Sequence, residues 1–191
     1  MLHRQHVYEP FLQRPHRRKR TPEELPLNTA TAPAHAEETH ESRKTISRAE
    51  LAELLNHDLS REYQAIIGYV VYSQVIKGAE YMNIAAELEK HALQELNHAI
   101  IIAGQIDYLG GMPAVEAKIV RTSEKAVEML QFDLDNETET IRNYRERVRQ
   151  CEDLAEYALG EQIRAILIDE QDHQVALANA LGRSVPAPRP S

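Results

Sequence analysis

The sequence predicts an all-α protein, a four-helix bundle made of two helical hairpins joined by a long crossover. Three observations carry that prediction. A Glu-x-x-His occurs twice, at Glu95-Leu96-Asn97-His98 and at Glu170-Gln171-Asp172-His173. On a helix, residues i and i+3 lie on one face about a turn apart, so each pair presents a carboxylate and an imidazole to one point. Next, a lone Glu precedes each pair by 33 residues: Glu62 stands before Glu95, and Glu137 before Glu170. Finally, a shift of 75 residues lays Asp58-Leu59-x-x-Glu62-x-x-x-Ile66-x-x-Tyr69 on Asp133-Leu134-x-x-Glu137-x-x-x-Ile141-x-x-Tyr144. Two similar hairpins in tandem explain that self-similarity. Composition agrees, since 7 Gly, 2 Phe and no Trp among 191 residues suit helices better than a β-sandwich.

Residues 1–44 read as a basic, Pro-rich and disordered N-terminal tail. Within residues 1–20, Arg4, Arg14, Arg17, Arg18, Lys19 and Arg20 are opposed only by Glu9, and residues 21–36 show no helical periodicity. Arg17-Arg18 lies upstream of Ala34-His35-Ala36, yet no apolar segment separates them, so an export signal is not expected. The bundle is expected over residues 45–183. Its first helix should start at Ser47-Arg48-Ala49-Glu50, a capping box, and run to Lys77, where Gly78 stops it. Leu51, Leu54, Leu55, Leu59, Ile66, Tyr69 and Val70 are expected on the face that carries Glu62. The second helix should span Glu80 to Leu109, with Ile84, Leu88, Leu96 and Ile102 as apolar positions, and end at Gly110-Gly111 and Pro113.

A connection follows, reaching Ser123 as the expected N-cap. Extended, it spans about 40 Å, enough to cross the bundle lengthwise and set the third helix parallel to the second. That third helix is expected over Glu124–Gln150, with Arg142, Arg145, Glu146, Arg147 and Arg149 as solvated surface. Asp153-Leu154-Ala155-Glu156 should lead into a fourth helix ending before Gly182, and residues 184–191 read as a flexible C-terminal tail. The midpoints between paired Glu residues fall at Gly78-Ala79 and Asp153-Leu154, both turns. Ligands equidistant from a turn meet at one height, so all six residues should converge on one level.

Buried carboxylates are costly without a partner, and no basic residue is expected at that level, so a metal is the better partner. Mixed carboxylate and imidazole donors suit Fe and Mn; structural zinc favours Cys. One cysteine, Cys151, allows no intrachain disulfide and fits a reducing, cytoplasmic setting, and no apolar run is long enough to span a membrane.

The constellation resembles the ferritin-like di-iron carboxylate family, and bacterioferritin in particular. The likeness rests on Glu62 with Tyr69, Glu95-x-x-His98, Asp133-Leu134-x-x-Glu137, Asp169-Glu170-x-x-His173, and Leu109-Gly110-Gly111-Met112-Pro113. It implies a ferritin-like four-helix bundle binding two Fe ions per chain, with Mn as the other candidate. It further implies that Glu95 and Glu170 bridge, that Glu62 with His98 and Glu137 with His173 complete the two sites, and that Tyr69 assists catalysis. The implied activity is ferroxidase: oxidation of Fe(II) to Fe(III) with O2 or H2O2, for iron storage and detoxification. Tyr144 is expected to be an ordinary core tyrosine, and His91 a polar residue on a cavity wall.

Departures from the family qualify that likeness. The haem-ligating Met position is Leu96, so haem is not expected, and the additional inner-surface iron ligands are replaced by Lys90 and Gln94. No clear fifth helix follows the fourth, which leaves a dimer building block, a 12-subunit shell or a 24-subunit shell open. The alternatives are a manganese catalase or other di-metal oxidoreductase on the same ligands, and a Dps-like protein whose N-terminal arm binds DNA.

Overall fold

The computed structural model describes residues 46–187, so the expectations for residues 1–44 and for 188–191 lie outside the described residues. Four helices make up the fold: α1 (Arg48–Val75), α2 (Met82–Tyr108), α3 (Ala126–Asp153) and α4 (Tyr157–Ala180). There is no strand among the described residues. α1 packs along α2 and α3 along α4, and the hairpins meet through α1 against α3 and α2 against α4. This is the ferritin-like four-helix bundle.

Local chemistry sets each boundary. The Ser47 hydroxyl accepts from Glu50 N at 3.2 Å, while Ser47 N donates to Glu50 Oε2 at 2.8 Å, closing the expected capping box. α1 stops at Val75, two residues earlier than expected, because Ile76 turns extended (ψ 131°) and Gly78 takes φ 128°. Ala79–Tyr81 then wind as a single 3-10 turn, which delays α2 to Met82. At the other end of α2, Gly110 takes φ 87° and donates to Asp107 O, while Gly111 N reaches back to Ile106 O at 2.9 Å. That pair of bonds satisfies the last carbonyls of the helix and accounts for the double glycine. α3 ends in the same bond pattern with Ala155 at φ 58°, and α4 with Gly182 at φ 63°. Ser123 is not the N-cap of α3, which begins at Ala126; its hydroxyl accepts from Lys125 N at 3.1 Å and donates to Glu128 at 2.6 Å.

The crossover climbs along one face of α1. Asn56 clasps it on both sides, donating to Met112 O at 3.0 Å and accepting from Ala114 N at 2.7 Å. Higher up, Lys118 N donates to Ser60 O at 2.9 Å, Gln64 to Ile119 O at 2.6 Å, and the Tyr72 hydroxyl to Arg121 O. Residues 56, 60, 64 and 72 are spaced by four, four and eight along α1, so one face of the helix steers the connection. α3 therefore starts at the end where α1 stops, and runs parallel to α2.

Two apolar clusters fill the bundle. One packs Leu51, Leu55 and Leu59 with Ile102, Ile106, Leu159 and Ile163. The other packs Tyr72, Ile76, Ile84 and Leu88 with Met129, Leu130 and Leu177. The two hairpin turns lie at opposite ends, and the polar layer carrying the six candidate residues separates the clusters. Two expected stripe positions are exposed instead, Val70 at 52 % and Leu96 at 47 %. At 3.6 residues per turn, Val70 sits about 80° round the helix from Glu62 and Leu96 about 100° from Glu95, both pointing outward.

Candidate metal centre

Glu62 of α1, Glu95 and His98 of α2, Glu137 of α3, and Glu170 and His173 of α4 all come together mid-bundle, each 1–2 % exposed. They fall into two overlapping groups whose donor atoms lie within 4.8 Å of one another. One is Glu62, Glu95, His98 and Glu170; the other is Glu95, Glu137, Glu170 and His173. Glu95 and Glu170 belong to both. His98 Nδ1 faces Glu95 Oε2 at 3.0 Å, Glu170 Oε1 at 3.1 Å and Glu62 Oε2 at 3.5 Å. His173 Nδ1 lies 2.9 Å from Glu95 Oε1 and 3.8 Å from Glu170 Oε2, without the direction of a hydrogen bond.

The outer nitrogens of both rings are tied down. His98 Nε2 donates to Asp169 Oδ2 at 3.1 Å, and His173 Nε2 donates to Gln94 Oε1 at 3.0 Å. These bonds fix the tautomers and aim each Nδ1 inward. The terminal carboxylates are also held: the Tyr69 hydroxyl donates to Glu137, and the Tyr144 hydroxyl to Glu62. Tyr144 is thus the counterpart of Tyr69 across the internal repeat, not an unrelated core residue. The signal was its position 75 residues after Tyr69. His91 is not on a cavity wall but buried, stacked on His173 at 4.0 Å and edge-on to Tyr69.

Burial and mutual repulsion govern the charges. Burial first, then Glu95 and Glu62, push Glu170 up to about 8. Glu95 and Glu137 are raised well above the ordinary carboxylate range by burial, with Glu62 and Glu170 respectively adding to it. Burial opposes a charge on His98, but the carboxylates of Glu170, Glu62 and Glu95 gathered about its Nδ1 outweigh it and raise its pKa. Protons thus sit where a cation would sit. Glu62 Oε2, Glu95 Oε1, Glu137 Oε2, Glu170 Oε1 and His173 Nδ1 are nevertheless buried with no hydrogen-bond partner. Such orphaned donor atoms, aimed into one space from four helices, fit a pair of cations.

A pH dependence follows for the metal-free protein. Groups whose pKa is raised on folding contribute stability below their unfolded value and lose it as pH climbs through the folded value. For Glu170 that window is 4.5 to about 8. His91, held at about 3 by burial with His173 adding to it, and His173, also lowered by burial, act oppositely, but only below their ordinary 6.5. Between pH 6.5 and 8 nothing opposes the carboxylates. The melting temperature of chelator-treated protein is expected to fall across that interval, and to hold when a divalent cation replaces the protons. A rise in the metal-free protein would show that these carboxylates ionise without penalty.

Comparison with known proteins agrees with the geometry. The family model described as a ferritin-like domain matches residues 52–184. A bacterioferritin of Desulfovibrio desulfuricans is 28 % identical over 128 residues, covering 66 % of this chain and 71 % of that protein. Among solved structures, a ferritin-like diiron-carboxylate protein from Bacillus anthracis superposes with a TM-score of 0.68 at 32 % identity, covering 71 % of this chain and 99 % of that one. A dodecameric thioferritin, the bacterioferritin-related protein of Bacteroides fragilis, gives a TM-score of 0.67 at 26 % identity, covering 72 % and 88 %.

Proposed function

This chain belongs to the ferritin-like family, and we propose that within it the protein is a ferroxidase, taking Fe(II) to Fe(III) for iron storage and detoxification. One observation carries the reading. Four carboxylates and two imidazoles form two overlapping donor groups that share Glu95 and Glu170 and leave buried donor atoms unpaired. In this reading Glu62 and His98 hold one Fe(II), Glu137 and His173 hold the other, and Glu95 and Glu170 bridge them. Two irons held together supply two electrons at once, so 2 Fe(II) + H2O2 + 2 H+ gives 2 Fe(III) + 2 H2O; with O2 in place of H2O2 the product is H2O2.

The chain's own residues do the rest. The carboxylate-rich set favours the higher charge of the ferric product. Burial, with Glu137 adding to it for Tyr69 and Glu62 for Tyr144, raises both phenols well above their ordinary range, so both stay protonated and keep donating. Tyr69 is assigned the catalytic role through that bond to Glu137. The two apolar clusters above and below the polar layer exclude water from all but the bound ions and oxidant.

Copies are expected to assemble from a dimer as building block; the similar thioferritin of Bacteroides fragilis is dodecameric. The outer side of α2 offers exposed Leu93, Leu96 and Ile100 at helical spacing, and α1 offers Ile67 and Val70. No described helix is long and apolar enough to cross a membrane. Cys151 is buried as a free thiol, which fits a reducing cytoplasmic setting.

The test is an anaerobic Fe(II) titration followed by an oxygen or peroxide pulse. A break at two irons per chain and rapid appearance of ferric absorbance are expected. Absence of saturable binding, or fast peroxide disproportionation with Mn and no iron oxidation, would overturn the reading.

A further inference from the structure

The internal repeat places equivalent residues around the two donor groups, yet it does not place equal ones. The hydrogen bond from His98 to Asp169 and the hydrogen bond from His173 to Gln94 exchange under the 75-residue shift, since 94 maps to 169 and 98 to 173. Their lengths match, at 3.1 and 3.0 Å, and both outer partners are half-buried. The chemistry does not match. One imidazole donates to a carboxylate, the other to a neutral amide.

Resting on the di-metal reading above, we infer that the two metal positions are unequal: Asp169 makes the position held by Glu62 and His98 the tight one, and Gln94 leaves the position held by Glu137 and His173 weak and exchangeable. A carboxylate on the far nitrogen draws the proton away from the ring and makes Nδ1 a stronger donor, as outer partners of metal-bound imidazoles do. An amide oxygen accepts the same bond without the charge. Both partners lie on the helices that carry the shared ligands, Asp169 beside Glu170 on α4 and Gln94 beside Glu95 on α2, so the bridge is common and the bonds behind the terminal imidazoles distinguish the positions.

The terminal carboxylates differ in one further respect, since Asp58 near Glu62 is paired with Arg147 while Asp133 near Glu137 has no hydrogen-bond partner on Oδ2. Tyr144 on Glu62 and Tyr69 on Glu137 are the same contact twice. Under the shift, the counterpart of His91 is Ile166, so the weak position alone has a further, non-ligand imidazole stacked on its histidine, at 4.0 Å. His91 has no partner on Nδ1 and adds no negative charge that would make up for the amide. Asp169 and Gln94 are therefore positioning residues with opposite influence, and the weak position is the one from which a ferric ion would leave first.

Calorimetric and visible-absorbance titration with Co(II), which resists oxidation by air, separates the positions without relying on turnover. Wild-type protein should bind two Co(II) per chain with affinities about 10–100-fold apart, the range that such outer partners command. Glu137→Ala should keep only the tight class and Glu62→Ala only the weak one. The isosteric exchanges then decide the cause. Asp169→Asn should weaken the tight class, Gln94→Glu should tighten the weak one, and the double variant should invert which of Glu62→Ala and Glu137→Ala retains tight binding.

A purely structural role for either residue would lower both classes or the melting temperature, and could not invert their order. Equal affinities in wild type, or an order unmoved by the double exchange, would overturn this inference while leaving the di-metal reading intact. Failure of wild-type protein to bind two Co(II) would overturn both.

Discussion

Glu95→Ala and Glu170→Ala are each expected to abolish fast Fe(II) oxidation altogether, not to halve it. Both carboxylates belong to both donor groups, so one substitution strips a ligand from each metal position at once. The loss should exceed the ~10–100-fold that removal of an outer hydrogen-bond partner of a metal ligand costs, because a direct ligand is lost twice over. Glu62→Ala and Glu137→Ala serve as controls, each removing a terminal ligand from a single group. They should retain one metal per chain, read as a titration break at one equivalent, with slow oxidation because two electrons are no longer delivered together. The same bridging variants should raise the melting temperature of metal-free protein, since crowded carboxylates whose pKa values are driven up by burial are a cost of folding. A Glu95→Ala protein that keeps two-iron stoichiometry and rapid oxidation would show that the bridge assignment is wrong.

The six candidate ligands were legible in the sequence because the repeat doubles each signal. A lone Glu-x-x-His on a surface helix says little, but equal spacing of two of them about two turns places all six at one height. What lay further out was harder to read. Asp169 and Gln94 are visible only as the neighbours of Glu170 and Glu95, and nothing in a single helix shows that each reaches the histidine of the opposite one. Tyr144 reads in sequence as a core tyrosine, because nothing in its own helix shows that its hydroxyl meets Glu62 across the bundle. Val70 and Leu96 were misplaced because apolar type was allowed to outweigh angle, although each stands well off the ligand face.

Arg147, expected on the surface, is buried. Four arginines within eight residues look like one solvated face, and Arg142, Arg145 and Arg149 do keep to the outside or the margin. Yet Arg147 follows Tyr144 by three residues and precedes Cys151 by four, both fully buried, so helical period alone turns it inward. Its partner, Asp58, is one turn before Glu62, where the expectation allowed no basic residue nearby. The repeat concealed the pair as well. Asp133 corresponds to Asp58, but the counterpart of Arg147 is Tyr72, whose hydroxyl is committed to Arg121 O. Only one of the two repeat-related aspartates has an arginine opposite it, and Asp133 Oδ2 is left buried without a hydrogen-bond partner.

The pair predicts the largest stability effect outside the metal layer. Arg147 Nε donates to Asp58 Oδ2 at 2.7 Å, with Nη1 on Gln150 Oε1 at 2.9 Å, and the two partners are 7 % and 2 % exposed. Arg147→Met keeps most of the aliphatic bulk but leaves Asp58 buried without its cation. Breaking a buried pair from one side costs about 3–5 kcal/mol, which for a domain of this size lowers the melting temperature by roughly 10 °C. Replacing both residues, as Asp58→Leu with Arg147→Met, should restore much of the loss, because an apolar pair of similar volume has no charge to desolvate. The acidity of Asp58 supplies a second check. Burial first, against the pull of Arg147, already raises it from 3.8 to about 6. Without Arg147 it rises further, and a group so raised contributes its stability below its unfolded value and loses it as pH climbs through the folded one. The gap between wild type and Arg147→Met should therefore be smallest near pH 4, where Asp58 is protonated in both, and widen above pH 6. A gap that stays constant from pH 4 to 8, measured by thermal unfolding of metal-free protein, would mean that Arg147 acts through packing and not through its charge.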